Sequence, residues 1–302
     1  MSRVIVTGGS GRLGVSVVRV LDALGHDVIS VDRSHRADLS VRQVQHDLAD
    51  AGATARLFAS IAPDAVVHLA AVSVPFSYPD PQIYATNTTL AWNVLQATVA
   101  TQADRLLMAS SPTVVGYGAP TGWAPAYLPI DEDHPIAPWN GYSLSKQAIE
   151  ALVRMAVRRD GDRMRYGVFR PCYIIAPEEW GGAPTQQGHT VLDRLDDPEL
   201  SAVALFNYVD ARDAADFIAA WLERAHAVPN GQCYFVSAAD SLVREPVGDA
   251  LRRLVPQAAG AAEGLSDTGA IFSSARAHAD LGWRPTRSWR TELHDGAEGT
   301  RA

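Results

Sequence analysis

Val4-Ile5-Val6-Thr7-Gly8-Gly9-Ser10-Gly11-Arg12-Leu13-Gly14 is the stretch that decides the fold. It opens on a β-branched run, residues 3–6, and beyond the glycines apolar side chains recur at helical spacing: Val17, Val18, Val20, Leu21 and Leu24. The order is strand, glycine turn, helix. Glycine admits positive φ and lets backbone N–H groups close on a pyrophosphate at the positive end of a helix. A glycine triplet alone is a weak signal. Here a second strand, residues 27–31, ends in Asp32, about twenty residues on, where a carboxylate can accept from an adenosine ribose. The pattern predicts a dinucleotide site on Gly8, Gly11, Arg12, Leu13, Gly14 and Asp32.

Further along, a third strand is expected to end near Gln45-His46, leaving Asp47-Leu48 at its carboxyl edge to frame an adenine or to form a plain loop. Residues 54–61 read as a helix and 65–71 as a buried strand, whose Leu69, Ala70 and Ala71 leave room for a ligand against the backbone. His68 reads as structural. A helix over 83–100 carries Asn87, and a strand over 105–109 opens into Ser110-Ser111-Pro112-Thr113. The proline-rich loop 119–138 contains Asp131-Glu132-Asp133-His134, taken as a solvated face rather than a metal cluster. A helix from Tyr142 to position 159, a strand over 165–169 ending in Arg170-Pro171-Cys172, a helix over 213–225 and a strand over 233–236 follow. Residues 177–207 read as loop and 291–302 as a frayed tail. Strands alternating with helices mean an α/β chain with a doubly wound parallel sheet, its ligands at the strands' carboxyl ends.

Composition narrows the function. Hydrophobic residues make up 47% and charged ones 20%, as in an ordinary soluble globule. The formal charge of -8 argues against general nucleic-acid or anionic-membrane binding. Cys172 and Cys233 are too few for a disulfide framework and suggest a reducing compartment. No signal-like stretch and no apolar run approaching ~20 residues is found, so a cytoplasmic location is expected.

Lys146 is the single lysine among the 26 Lys+Arg residues, and it follows Tyr142 by four positions. Residues four apart share a helix face, where a cation beside a phenol favours the phenolate and produces a general base. Arginine suits this poorly, being a planar fork that does not release a proton. An exposed tyrosine with a stray surface lysine is the bland alternative.

Together these residues resemble the extended short-chain dehydrogenase/reductase family, the NAD-dependent epimerase/dehydratase group. The motifs are Thr7-Gly8-x-x-Gly11-x-x-Gly14, Asp32, Asp47-Leu48, His68-Leu69-Ala70-Ala71, Asn87, Ser110-Ser111 with Val114 and Gly116, Tyr142-x-x-x-Lys146, Arg170-Pro171 and a terminal Leu281-Gly282-Trp283-x-Pro285. The resemblance implies a Rossmann-type dinucleotide-binding domain over 1–171, its sheet completed by segments within about 203–237. A small C-terminal α/β substrate-binding region is expected to occupy most of 172–302. It implies Tyr142 as acid/base, Lys146 as holder of the nicotinamide ribose and depressor of the Tyr142 pKa, and Ser111 as partner to the substrate oxygen. Asn87, Pro171 and Cys172 join the expected cofactor contacts. NAD is expected over NADP because Asp32 would repel a 2′-phosphate, with Arg33 and Arg36 as opposing features. A homodimer packed through the Asn87 and Tyr142 helices is implied too.

Departures from the family bear on substrate. Val115 replaces its usual tyrosine in the serine motif, and Pro112-Thr113 stand where dehydratases carry Asp-Glu, which disfavours a 4,6-dehydratase. Tyr173 and Phe206 fall where nucleotide-sugar epimerases have an asparagine and a basic residue for the pyrophosphate. The expectation is an NAD-dependent oxidoreductase acting on a small sugar, sugar acid or hydroxy/keto compound. Ser73, Ser111, Tyr173, Trp180, Phe206 and Asn207 are its expected substrate contacts. A nucleotide-sugar epimerase is the alternative, and a non-catalytic dinucleotide sensor a third reading.

Overall fold

The structure, a computed structural model, describes residues 1–298, with side chains to residue 293. Its centre is a seven-stranded sheet in the order β3-β2-β1-β4-β5-β6-β9, parallel throughout. The strands are β1 Arg3–Thr7, β2 Asp27–Asp32, β3 Arg42–Gln45, β4 Ala65–His68, β5 Arg105–Ala109, β6 Arg165–Pro171 and β9 Gln232–Val236. Ile174–Ile175 (β7) and Val209–Asp210 (β8) form a separate small parallel pair. Each central strand buries both faces, so its sequence is a continuous apolar run. Val4 and Val6 join one core while Ile5 between them joins the other.

The helices are α1 Arg12–Ala23, α2 Ala51–Ile61, α3 Asp80–Val99, α4 Gly141–Asp160, α5 Pro177–Trp180, α6 Val191–Asp196, α7 Glu199–Ala202 and α8 Ala211–Arg224. They are followed by α9 Val247–Leu254, α10 Ala275–Leu281 and α11 Trp289–Glu298. The pair α1 and α8 packs on one face of the sheet, and α2, α3 and α4 pack on the other. Gly167 in β6 is required by this packing, since a Cβ there would lie 2.6 Å from the Trp221 ring of α8.

Three expectations differ from the structure. The segment 177–207 holds three short helices, α5 to α7, each begun by local capping or a proline at its start that periodicity over so few residues does not reveal. The expected tail at 291–302 is helical through residue 298, because Trp289 is buried against Tyr208 and Leu242 and its backbone N–H donates to the Tyr208 hydroxyl at 3.0 Å. Residues 299–302 of that expectation lie outside the described residues. The acidic loop is also less solvated than expected. Glu132 turns inward to accept from the Phe235 N–H at 2.6 Å, and His134 is buried, accepting from the Ala126 N–H at 3.0 Å.

Candidate active site

A cavity of about 950 Å³ follows the carboxyl edge of the sheet, over the point between β1 and β4 where strand order reverses. Gly8, Gly11, Arg12, Leu13 and Gly14 form one end of it. Gly8 has φ +73°, and a Cβ there would lie 2.7 Å from the Ala70 nitrogen; one on Gly14 would strike the Gly8 carbonyl. Gly11 caps α1 without a side-chain hydrogen bond, so the first-turn N–H groups remain available to an anion. At the end of β2 the Asp32 oxygens accept from the Ser10 and Ser34 N–H groups at 3.1 Å each and still face the cavity. Asp47 and Leu48 line it beyond β3, where Asn93 of α3 donates to the Leu48 and Ala49 carbonyls at 2.9 and 3.1 Å and fixes the loop. A glycine cradle, a ribose-facing carboxylate and an apolar adenine wall fit a dinucleotide.

At the other end, α4 begins with a reciprocal cap. Asn140 accepts from the Ser143 N–H at 2.9 Å while the Ser143 hydroxyl accepts from the Asn140 N–H at 3.3 Å. Gly141 sits against the Asp80 carbonyl of α3, leaving no room for a Cβ. This contact sets where α4 starts, and hence where Tyr142 and Lys146 meet the cavity one turn apart. Lys146 is 4% exposed; its Nζ donates to the Ala109 carbonyl at 3.0 Å and lies 5.7 Å from the centre of the Tyr142 ring. Burial lowers its pKa to about 8. The Ser111 hydroxyl accepts from the Thr113 hydroxyl at 3.0 Å and shares the cavity wall with the Tyr142 phenol.

The expected depression of the Tyr142 pKa by Lys146 is corrected. Burial raises it, outweighing the Ser111 hydrogen bond that lowers it. His68 is structural, as expected: buried, with Nδ1 2.8 Å from the Thr7 hydroxyl, and held neutral by burial and then by Lys146, to a pKa of about 3.

Leu69, Ala70, Ala71, Pro171 and Cys172 also line the cavity, as do Ser73, Tyr173 and Asn207. Asn87 does not. Its amide instead accepts from the Val72 N–H at 2.8 Å and donates to the Val72 carbonyl and the Ser145 hydroxyl, tying the loop after β4 to α4. Trp180 and Phe206 are corrected too, because both are core residues. Trp180 Nε1 donates to Asp210 at 2.7 Å, and Phe206 is fully buried among apolar neighbours. Tyr117, Gln186 and Gln187 line the site without having been singled out, and Thr113, noted in place of a dehydratase acid, lines it too. Tyr117 stands two residues beyond Val115, on the cavity wall with Asn207, Cys172 and Tyr142, and burial raises its pKa. A tyrosine displaced by two positions from the expected one was the available signal.

Residues 4–237 match the NAD dependent epimerase/dehydratase family. The chain belongs to that family. Among curated relatives, UDP-glucose 4-epimerase of Lactobacillus helveticus is 33% identical over 166 residues, covering 53% of this chain and 48% of the relative. The 2'-dehydrokanamycin reductase of Streptomyces kanamyceticus is 32% identical over 161 residues, 51% of this chain and 38% of the relative. The chain thus spans about half or less of the length of these relatives. In fold it is similar to a UDP-glucose-4-epimerase from Stenotrophomonas maltophila solved with NAD and formylated UDP-arabinopyranose. The TM-score is 0.73 at 18% identity, over 99% of this chain and 97% of that one. The family is named for NAD, and the glycine cradle and Asp32 of this member suit that cofactor. No helix among the described residues is long and apolar enough to cross a membrane.

Proposed function

We propose that the protein is an NAD-dependent oxidoreductase that interconverts a secondary alcohol and a carbonyl in a small sugar, sugar acid or hydroxy/keto compound. The observation that carries this reading is the meeting of Ser111, Tyr142 and Lys146 on one cavity whose far end holds the glycine cradle and Asp32. Bound NAD supplies the hydride acceptor and a positive charge near the phenol. In the oxidative direction Tyr142 takes the hydroxyl proton as the carbon loses hydride, leaving a carbonyl, NADH and one proton. Lys146 holds positive charge beside the phenol and places a donor at the nicotinamide ribose, while Ser111 donates to the substrate oxygen. Its own acceptor sites are already engaged by Thr113, which directs its proton outward. The division at residue 171, a homodimer and a cytoplasmic location belong to the same proposal. Tyr84 and Trp92 on α3 and Leu144 on α4 leave apolar surface exposed for the dimer.

Substrate size follows from the wall. Among the described residues its guanidinium and ammonium groups are Arg12, Arg33 and Lys146, all placed for cofactor. A pyrophosphate at the substrate end would meet neutral side chains on the wall and, behind Tyr173 and Gln187, the single guanidinium of Arg194, too few cations for two phosphates. The second reading, a nucleotide-sugar epimerase, is favoured by the 33% identity to UDP-glucose 4-epimerase over the matched region. Calorimetric titration separates the two and checks the cofactor. NAD should bind at least about tenfold more tightly than NADP, because Asp32 accepts from a free ribose and repels a 2′-phosphate. Arg36 is held by Asp38 at 2.9 and 3.0 Å, which removes one opposing cation. UDP should show no binding that competes with substrate; micromolar UDP binding would favour the epimerase, and tighter NADP binding would remove the role given to Asp32.

A further inference from the structure

Arg194 on α6 is 1% exposed, yet among the described residues no carboxylate lies within ion-pair distance of it. The acid whose charge reaches it, Glu179, is already paired with Arg12. The guanidinium is held by neutral groups only. One terminal nitrogen donates to the Leu200 carbonyl at 2.8 Å, and the other to the Tyr173 hydroxyl at 3.3 Å and to the Gln187 side-chain oxygen. Its plane lies over the Tyr173 ring, 4.4 Å from the centre, and Nε has no partner among the described residues. A buried guanidinium pays a large desolvation cost and ordinarily recovers it through a bidentate carboxylate or phosphate. Burial accordingly lowers the Arg194 pKa.

What makes this a site is where the neutral partners stand. Tyr173 and Gln187 are both on the cavity wall, and neighbouring Gln186 donates across it to Ser73 at 3.2 Å. The Gln187 amide oxygen occupies the place a carboxylate oxygen takes on a guanidinium, one side chain behind the substrate end. We propose that Arg194 is the receptor for a single carboxylate on the substrate, which displaces the Gln187 amide oxygen and lies between Tyr173 and Gln187. The substrate class is then a sugar acid or hydroxy acid rather than a neutral sugar. One guanidinium without a counter-charge matches one negative charge. This deepens the oxidoreductase reading and rests on it.

The test compares initial NADH formation from D-glucuronate, D-galacturonate and D-gluconate with that from D-glucose, D-galactose and D-glucitol, with glucose 6-phosphate and UDP-glucose as further arms. At least one acid is expected to exceed its neutral partner about 100-fold in kcat/KM, since a site built around a buried charge rejects the analogue lacking its partner. Arg194→Met should collapse that ratio, through KM more than kcat, and Arg194→Lys should restore part of it. Because Arg194→Met can disturb folding, Gln187→Glu serves as a second variant. It supplies a carboxylate to the guanidinium from within, and should abolish the acid preference in a protein that melts no earlier than the parent. Neutral sugars turned over as well as acids, no turnover of any acid, a preference for glucose 6-phosphate, or Gln187→Glu retaining the acid preference would each overturn the carboxylate receptor while NADH formation still upholds the oxidoreductase. Interconversion of UDP-glucose and UDP-galactose with no NADH from any compound would overturn the oxidoreductase reading itself, and the receptor with it.

Discussion

Tyr142→Phe is expected to lower hydride transfer by about 10²–10⁴-fold, the usual contribution of a positioned general acid/base, while NAD binds nearly as before. The substitution removes a hydroxyl from a buried ring and leaves the ring, the cap of α4 and the glycine cradle in place. Burial raises the phenol's pKa, so the proton-transfer role depends on the charges gathered around it when cofactor is bound. Lys146→Ala should therefore damage both turnover and NAD binding. Ser111→Ala should cost less, about 10–1000-fold, as one lost transition-state hydrogen bond. Single-turnover measurement of NADH formation alongside calorimetry of NAD separates these outcomes. Near-normal turnover by Tyr142→Phe would show that another group, Tyr117 being the nearest phenol on the wall, carries the proton.

The second large effect is on stability. Arg170 and Glu150 are each 2% exposed in the side chain, and Arg170 donates to both Glu150 oxygens at 2.8 and 2.9 Å. Glu150 lies one turn beyond Lys146 and also accepts from the Ser110 hydroxyl at 2.7 Å, beside Ser111. Arg170→Met would leave that buried carboxylate with only the half-exposed Arg154 guanidinium, 3.9 Å away, for a cation, a loss toward the lower end of about 3–5 kcal/mol. In a chain of this size it should lower the melting temperature by roughly 5–10 °C. Pairing it with Glu150→Gln should recover much of the loss, since the uncompensated charge is then gone. Thermal melts of the two variants decide the matter: equal melting of the single and double variants would mean that packing, not charge, dominates at this pair.

Much of this architecture can be read in the chain because its inner strands, such as the Val4 and Ala65 runs, are buried on both faces and therefore largely apolar, whereas the edge strand β3 is polar and half-exposed. Their glycines and terminal carboxylates fall where a Cβ has no room or a ribose needs an acceptor. Less legible is everything that depends on a partner far away in sequence. Asn87 looks like a wall residue until its amide is seen gripping Val72 and Ser145. Trp180 and Phe206, read as aromatic substrate contacts, are buried because Asp210 and the apolar core claim them. In the 177–207 segment no apolar period is long enough to register, since α5, α6 and α7 span one turn or little more. In sequence Arg194 is one of two basic side chains, with His189, between Tyr173 and Ala211, and whether it turns toward the site is left open. Only the fold shows that it is buried without a carboxylate beside it.

In the proposed reaction hydride leaves the substrate and stays on the cofactor. Its most direct measurement is NADH absorbance with NAD and the sugar-acid panel in large excess over enzyme. NADH should rise through many equivalents per active site with one carbonyl product formed for each, and that signal should be lost in Tyr142→Phe. NADH that never exceeds the enzyme present, while UDP-glucose and UDP-galactose interconvert without added NAD, would contradict it.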